Sequence, residues 1–175
     1  MKFKIILLLK GPKGSIYTLL KENSAISEFE KALIEYHDLK GEQKYNDLRA
    51  YLLAMCNSFG FSQDRFRYEN LKGIEGLYAL NKTKDYRFYL YHNSTQQILL
   101  TGGGIKQVKL YQQSGKLNFV AKYVISISKL LWENRELTLA GLCENEVIIE
   151  VDWTGAIVNT DDILEEMERK NGKRD

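Results

Sequence analysis

The sequence predicts an α+β fold in which a small antiparallel sheet packs on a helical hairpin, followed by a C-terminal strand and helix. Three observations predict it. Apolar residues recur at helical spacing between Ser27 and Gly60, the period shortens to two between Leu77 and Thr101, and helical spacing returns after residue 118.

The N-terminal MKFKIILLLKG has an apolar centre of only Ile5 to Leu9 and no small-residue cleavage site after it, so it reads as a first strand rather than a secretion signal. GPKG (Gly11 to Gly14) ends it as a turn and lacks the spacing of a phosphate-binding loop. From Ser27 the chain turns helical. Ser27 and Glu30 have capping-box spacing, Phe29, Ala32, Leu33 and Tyr36 share a face, and Gly41 stops the helix. A second helix from Gln43 aligns Tyr45, Leu48, Leu52, Met55 and Phe59 and stops at Gly60.

Leu77 to Asn81, Tyr86 to His92 and Gln96 to Thr101 are rich in aromatic and β-branched or aliphatic residues and are separated by KTKD and NST, which predicts an antiparallel meander. In the middle strand, alternation places Tyr86, Phe88, Leu90 and His92 on one face, toward the helices. Arg87, Tyr89 and Tyr91 fall on the other, a cation between phenols. A third helix from about Asn118 to Leu131 aligns Val120, Tyr123, Val124, Ile127 and Leu131. EVIIEVDW (Glu146 to Trp153) then reads as a strand and Asp161 to Arg169 as a short helix with Ile163, Leu164 and Met167 inward. This divides the chain into a domain over residues 1–132 and an acidic extension over 133–175.

At 175 residues, 44% hydrophobic and 27% charged with one Pro, the chain suits a single globular domain with appendages. No stretch approaches the roughly 18 apolar residues of a membrane span. Cys56 and Cys143 stand alone, without CxxC pairs, which signals neither disulfide nor metal and fits a cytoplasmic protein. The net charge of +2 conceals a division. Residues 1–132 carry 20 Lys and Arg against 11 Asp and Glu, whereas 133–168 carry Arg135 against 11 acids. A basic body favours an anionic partner such as nucleic acid, across which an acidic segment could also lie. Ordinary solvated surfaces explain the same counts, and simple extension of the core sheet by EVIIEVDW accounts for the segment without such a contact.

NLKGIEGLYAL, DYRFYLY and ILLTGGGIKQVKLYQQ together resemble, in order and spacing, the sheet entry, arginine strand and GGGxK segment of the RelE/ParE toxin superfamily, in its HigB-like and addiction-module-killer branches. Residues 70–123 carry the resemblance most clearly, and it extends more weakly over residues 1–132. It implies a RelE-like fold and a toxin of a toxin-antitoxin system, with a cognate antitoxin as partner. It further implies a ribosome-dependent, metal-independent mRNA endonuclease without cofactor. A catalytically degenerate RNA- or protein-binding module and a ParE-like gyrase inhibitor are the alternatives, and a homodimer stays open.

Metal-free RNA cleavage needs a base for the 2′-hydroxyl, cations for the phosphate and a proton for the leaving oxygen. The resemblance makes Arg87 the strand arginine that stabilises the transition state and Lys106 the GGGxK lysine. Lys84 and Tyr111 complete the catalytic expectation as a phosphate contact and as a leaving-group or base-stacking residue. Lys82, Lys109, Tyr89, Tyr91 and His92 are the expected RNA contacts, since single strands are held by rings on bases and cations on phosphates. A departure stands one strand earlier, where Ala79 and Asn81 occupy positions that are basic in RelE-like members. Gly102 to Gly104 lack dinucleotide-loop spacing and read as tight curvature at a sheet end or as close approach of an RNA backbone.

Overall fold

The computed structural model describes residues 1–69, 77–83, 85–105 and 115–173, with side chains of the last segment from Val120 onward. The fold is α+β, but the sheet is neither small nor purely antiparallel. Seven strands lie in the order β3-β4-β5-β6-β2-β1-β7. β1 (Lys2–Gly11) and β2 (Gly14–Lys21) form a hairpin through the expected turn, β2 runs parallel to β6 (Gln97–Ile105), and every other pairing is antiparallel.

β2 is the element the sequence pattern hides. It lies inside the sheet with Ile16 and Thr18 facing one layer and Tyr17 and Leu19 the other, all buried, so it shows no polar face to alternate with. The other additions are short: β3 (Phe66–Tyr68) at one sheet edge, and α4 (Leu139–Glu144), where Thr138 Oγ1 accepts from Gly141 N at 2.9 Å.

The helical hairpin forms as its caps predict. In α1 (Glu28–Lys40), Ser27 Oγ accepts from Glu30 N at 3.2 Å and Glu30 Oε2 from Ser27 N at 2.7 Å. Gly41, at φ 86°, turns the chain into α2 (Glu42–Ala54). The last turn of the expected second helix widens into a π-helical turn, Met55–Phe59, closed by Gly60 N donating to Met55 O at 2.8 Å. The meander follows as β4 (Leu77–Leu80), β5 (Tyr86–Ser94) and β6, and α3 (Gly115–Glu133) packs on the far side.

Both faces of the sheet are therefore covered. Phe29, Tyr36, Leu48 and Leu52 from α1 and α2 pack on Ile16, Phe88, Leu90 and Leu100. On the opposite face Val124 and Ile127 from α3 pack in one cluster with Ile5, Leu19, Tyr89 and Leu99. The acidic segment belongs to this second layer. β7 (Ile148–Glu150) pairs with β1 through Phe3↔Ile149, and Leu139, Ile149, Ile163 and Met167 share the core of Phe3 and Ile5. β7 is shorter than EVIIEVDW predicted because Asp152 to Gly155 form a tight turn, after which α5 (Thr160–Gly172) begins. Residues 133–173 thus add a strand to the sheet and close its core. No helix among the described residues is long and apolar enough to cross a membrane.

Candidate nucleic-acid interface

The face of β5 expected to meet RNA is interior. Tyr89 and Tyr91 are 1% and 8% exposed, packed beneath α3 with Leu77, Ala79 and Val124. Arg87 is 3% exposed and its Nη1 donates to Glu69 Oε1 at 2.7 Å. Strand alternation correctly puts these three together, but α3 covers the face they share. Arg87 is an internal ion pair, and Tyr89 and Tyr91 are core rings; this corrects the expectation of a solvent-facing cation between phenols. Burial also pushes the Tyr91 hydroxyl above its ordinary pKa.

The glycines serve the same interior. A side chain begun at Gly103 would sit 2.0 Å from the Arg87 carbonyl oxygen, so β5 and β6 can approach only because that position lacks a Cβ. Ala79 is wholly buried on β4, where the resemblance would place a base, and Asn81 is exposed in the turn beyond it.

Of the remaining expected residues, Lys84, Lys106, Lys109 and Tyr111 lie outside the described residues. The Lys82 ammonium stands 5.9 Å from the centre of the Tyr51 ring, a cation over an aromatic face. His92 is half-buried on the α1 side of β5, with Nε2 2.5 Å from the Phe61 carbonyl oxygen, which engages one ring nitrogen.

His92 leads to a surface that the sequence pattern did not single out. α1 packs over β6, β2 and β5, and toward the β3 edge the same face carries a chain of rings. Tyr68 meets Tyr78 at 5.4 Å and 64°, Tyr78 meets His92 at 5.9 Å, and Phe66 lies 6.4 Å from Tyr78 and 5.7 Å from His92. The register that builds it is Tyr68↔Tyr78 and Phe66↔Leu80 between β3 and β4. Phe66 is the buried anchor, Tyr78 and His92 are half-buried, and Tyr68 is 46% exposed.

Beside this ladder the Arg65 guanidinium lies 4.6 Å from the centre of the Phe59 ring, which is 50% exposed at the end of the π-helical turn. Arg65 Nε is buried without a hydrogen-bond partner among the described residues. The nearest acid in sequence, Asp64, is held by Ser62, whose hydroxyl donates to Asp64 Oδ1 and keeps that carboxyl below its ordinary pKa. Rings graded from buried to exposed, next to a guanidinium stacked on the half-exposed Phe59 ring, can stack unpaired bases beside a cation. A three-residue strand next to a turn gives too short an alternation to reveal such a surface from sequence. Comparison of the chain with family models, with curated proteins and with solved structures finds no match.

Proposed function

We propose that this chain binds single-stranded RNA across the β3–β5 aromatic face, on a RelE-like core whose strand arginine has become structural. The observation that carries this reading is the ladder Phe66, Tyr78, His92 and Tyr68 beside Arg65 and Phe59. What supports the RelE-like core is that α1, α2, the β4–β6 meander and α3 follow one another in the order the resemblance implies. The larger sheet, with β2, β3 and β7 added, stands beyond that resemblance.

The burial of Arg87 against Glu69 and of Ala79 on β4 favours binding over cleavage. Neither residue offers a cation or a base to a phosphate at the surface. The ribosome-dependent endonuclease, with the ribosome, mRNA and an antitoxin as its partners, is the second reading. It rests on the same order of elements and on Lys84, Lys106 and Tyr111.

Titration of a fluorescent oligouridylate distinguishes them. Binding should weaken with added salt, because phosphate contacts release counterions, and should fall about tenfold in Tyr68→Ala, the scale of one lost base stack. Unchanged affinity in Tyr68→Ala contradicts the first reading. Cleavage of a reporter mRNA by purified ribosomes plus this protein establishes the second.

A further inference from the structure

The acidic segment holds a further exposed ring, on a turn that rests against α3. Trp153 is 85% exposed at the tip of a hairpin whose arms pair through Val151↔Ile157, with Asp152 N donating to Ala156 O at 2.9 Å and Val158 N to Glu150 O at 2.9 Å. The tip is closely fixed. Asp152 Oδ1 accepts from Thr154 N at 2.7 Å, Thr154 Oγ1 at 2.6 Å and Ala156 N at 3.1 Å. Gly155, at φ 86°, lets the turn lie on α3, where a Cβ would come within 2.6 Å of Lys122 Cβ, and Ser126 Oγ donates to Gly155 O at 2.5 Å.

Asn159 ties the base of the hairpin, accepting from Glu150 N at 2.8 Å and donating to Ile148 O at 2.9 Å. Ile148 and Val158 are exposed at 39% and 58%. Val158 also lines a depression of about 250 Å³ with Asp161 and Asp162. A large ring held in water by a fixed turn does not stabilise the core, and it costs little entropy to bury against a partner.

We propose that the Trp153 hairpin docks a basic polypeptide segment of another protein, with an Arg or Lys side chain over the Trp153 ring and its neighbours facing Asp161 and Asp162. Charge decides the occupant. Residues 133–168 carry 11 acids against Arg135, which repels a nucleic acid or an anionic membrane and attracts a cationic chain. Lys129, Lys4 and Lys170 pair with Glu133, Glu146 and Glu166, and Lys122 beneath the turn and Lys2, opposite Glu150 in the β1–β7 register, offset a further part. The attraction therefore rests on Asp161 and Asp162 at the depression. A guanidinium gains additionally from the face of an indole.

The test uses the full chain and labelled nona-arginine as probe. In Trp132→Phe, where Trp153 is the sole tryptophan, the peptide should change Trp153 emission saturably and nona-glutamate should not. Peptide affinity should fall about tenfold in Trp153→Ala and recover to within about threefold in Trp153→Phe, as a lost and a weakened cation–π contact require. Equal affinity in Trp153→Ala, or no saturable change in emission, overturns the proposal. So does a Trp153 response to oligouridylate in place of the peptide.

Discussion

The two faces of the β3–β5 sheet segment are made of similar residues and have opposite fates. Toward α3 lie Arg87, Tyr89 and Tyr91, an arginine among tyrosines, all less than a tenth exposed. Toward α1 and the β3 edge lie Phe66, Tyr68, Tyr78 and His92, with Arg65 and Phe59 beside them, and here the rings grade from core to solvent. Composition does not separate the two sets. What separates them is the layer above: α3 packs on β4, β5 and β6, whereas α1 sits over β6, β2 and β5 and toward the sheet centre. An aromatic-cationic strand is therefore a candidate interface only where its face is left at a margin.

The largest expected difference between the faces is in stability. Tyr89→Ala should cost about 3–5 kcal/mol, as deletion of a large ring from a packed core does, whereas Tyr68→Ala should change stability by less than about 1 kcal/mol. Urea unfolding of the two variants measures this, and comparable losses would erase the distinction.

Next comes the ion pair. Arg87→Ala leaves the half-sequestered Glu69 carboxylate without its cation and should cost about 3 kcal/mol. Replacing both partners, Arg87→Met with Glu69→Leu, should restore most of that loss, because the cost comes from the stranded charge. Arg65→Ala, by contrast, should be nearly neutral in stability and weaken RNA binding. An Arg87→Ala protein as stable as the parent would show that Arg87 is not the structural residue described.

The smallest effect concerns the two thiols, one on each side of the sheet. Cys56, at the α2 end, is buried and its thiol is pushed up to about 11. Cys143 on α4 is half-buried; burial raises its pKa, and a hydrogen bond from Leu7 N–H opposes the rise. At mildly alkaline pH a thiol reagent should modify Cys143 first and reach Cys56 only with unfolding. The reverse order would mean that the α2 end opens more readily than its packing implies.

Much of the fold was legible because its local signals are strong. Ser27 and Glu30 announce a capping box that forms in full, and Gly41 and Gly60 stop the helices they were expected to stop. The meander strands and the closing helix fall where the change of period puts them. The missing elements have physical causes. β2 is buried on both faces and shows no alternation, and β3 and α4 are too short for a period to emerge. The mixed sheet follows from the hidden β2, since its parallel pairing with β6 depends on a strand that the pattern did not disclose.

The site was legible only in part. Alternation states which residues share a face, so the grouping of Arg87 with Tyr89 and Tyr91 is right. It does not state what covers that face. His92 was the one expected contact among the described residues that the structure brings to the open ladder, and it lies there because it points with Leu90 and Phe88 rather than with the phenols. The acidic segment is the clearer case, since the strand in EVIIEVDW and the helix with Ile163 and Met167 inward are legible in its pattern. Extension of the core sheet is what β7 does, although the pairing with β1 is not stated by the pattern.

A backbone and side-chain NMR titration of the full chain with oligouridylate tests whether RNA meets the β3–β5 aromatic face. Shifts should concentrate at Phe59, Arg65, Tyr68, Tyr78 and His92, with Arg87, Tyr89 and Tyr91 little changed. Shifts centred on Arg87 and Tyr89, with the Tyr68 and Tyr78 signals unmoved, would contradict binding at that face.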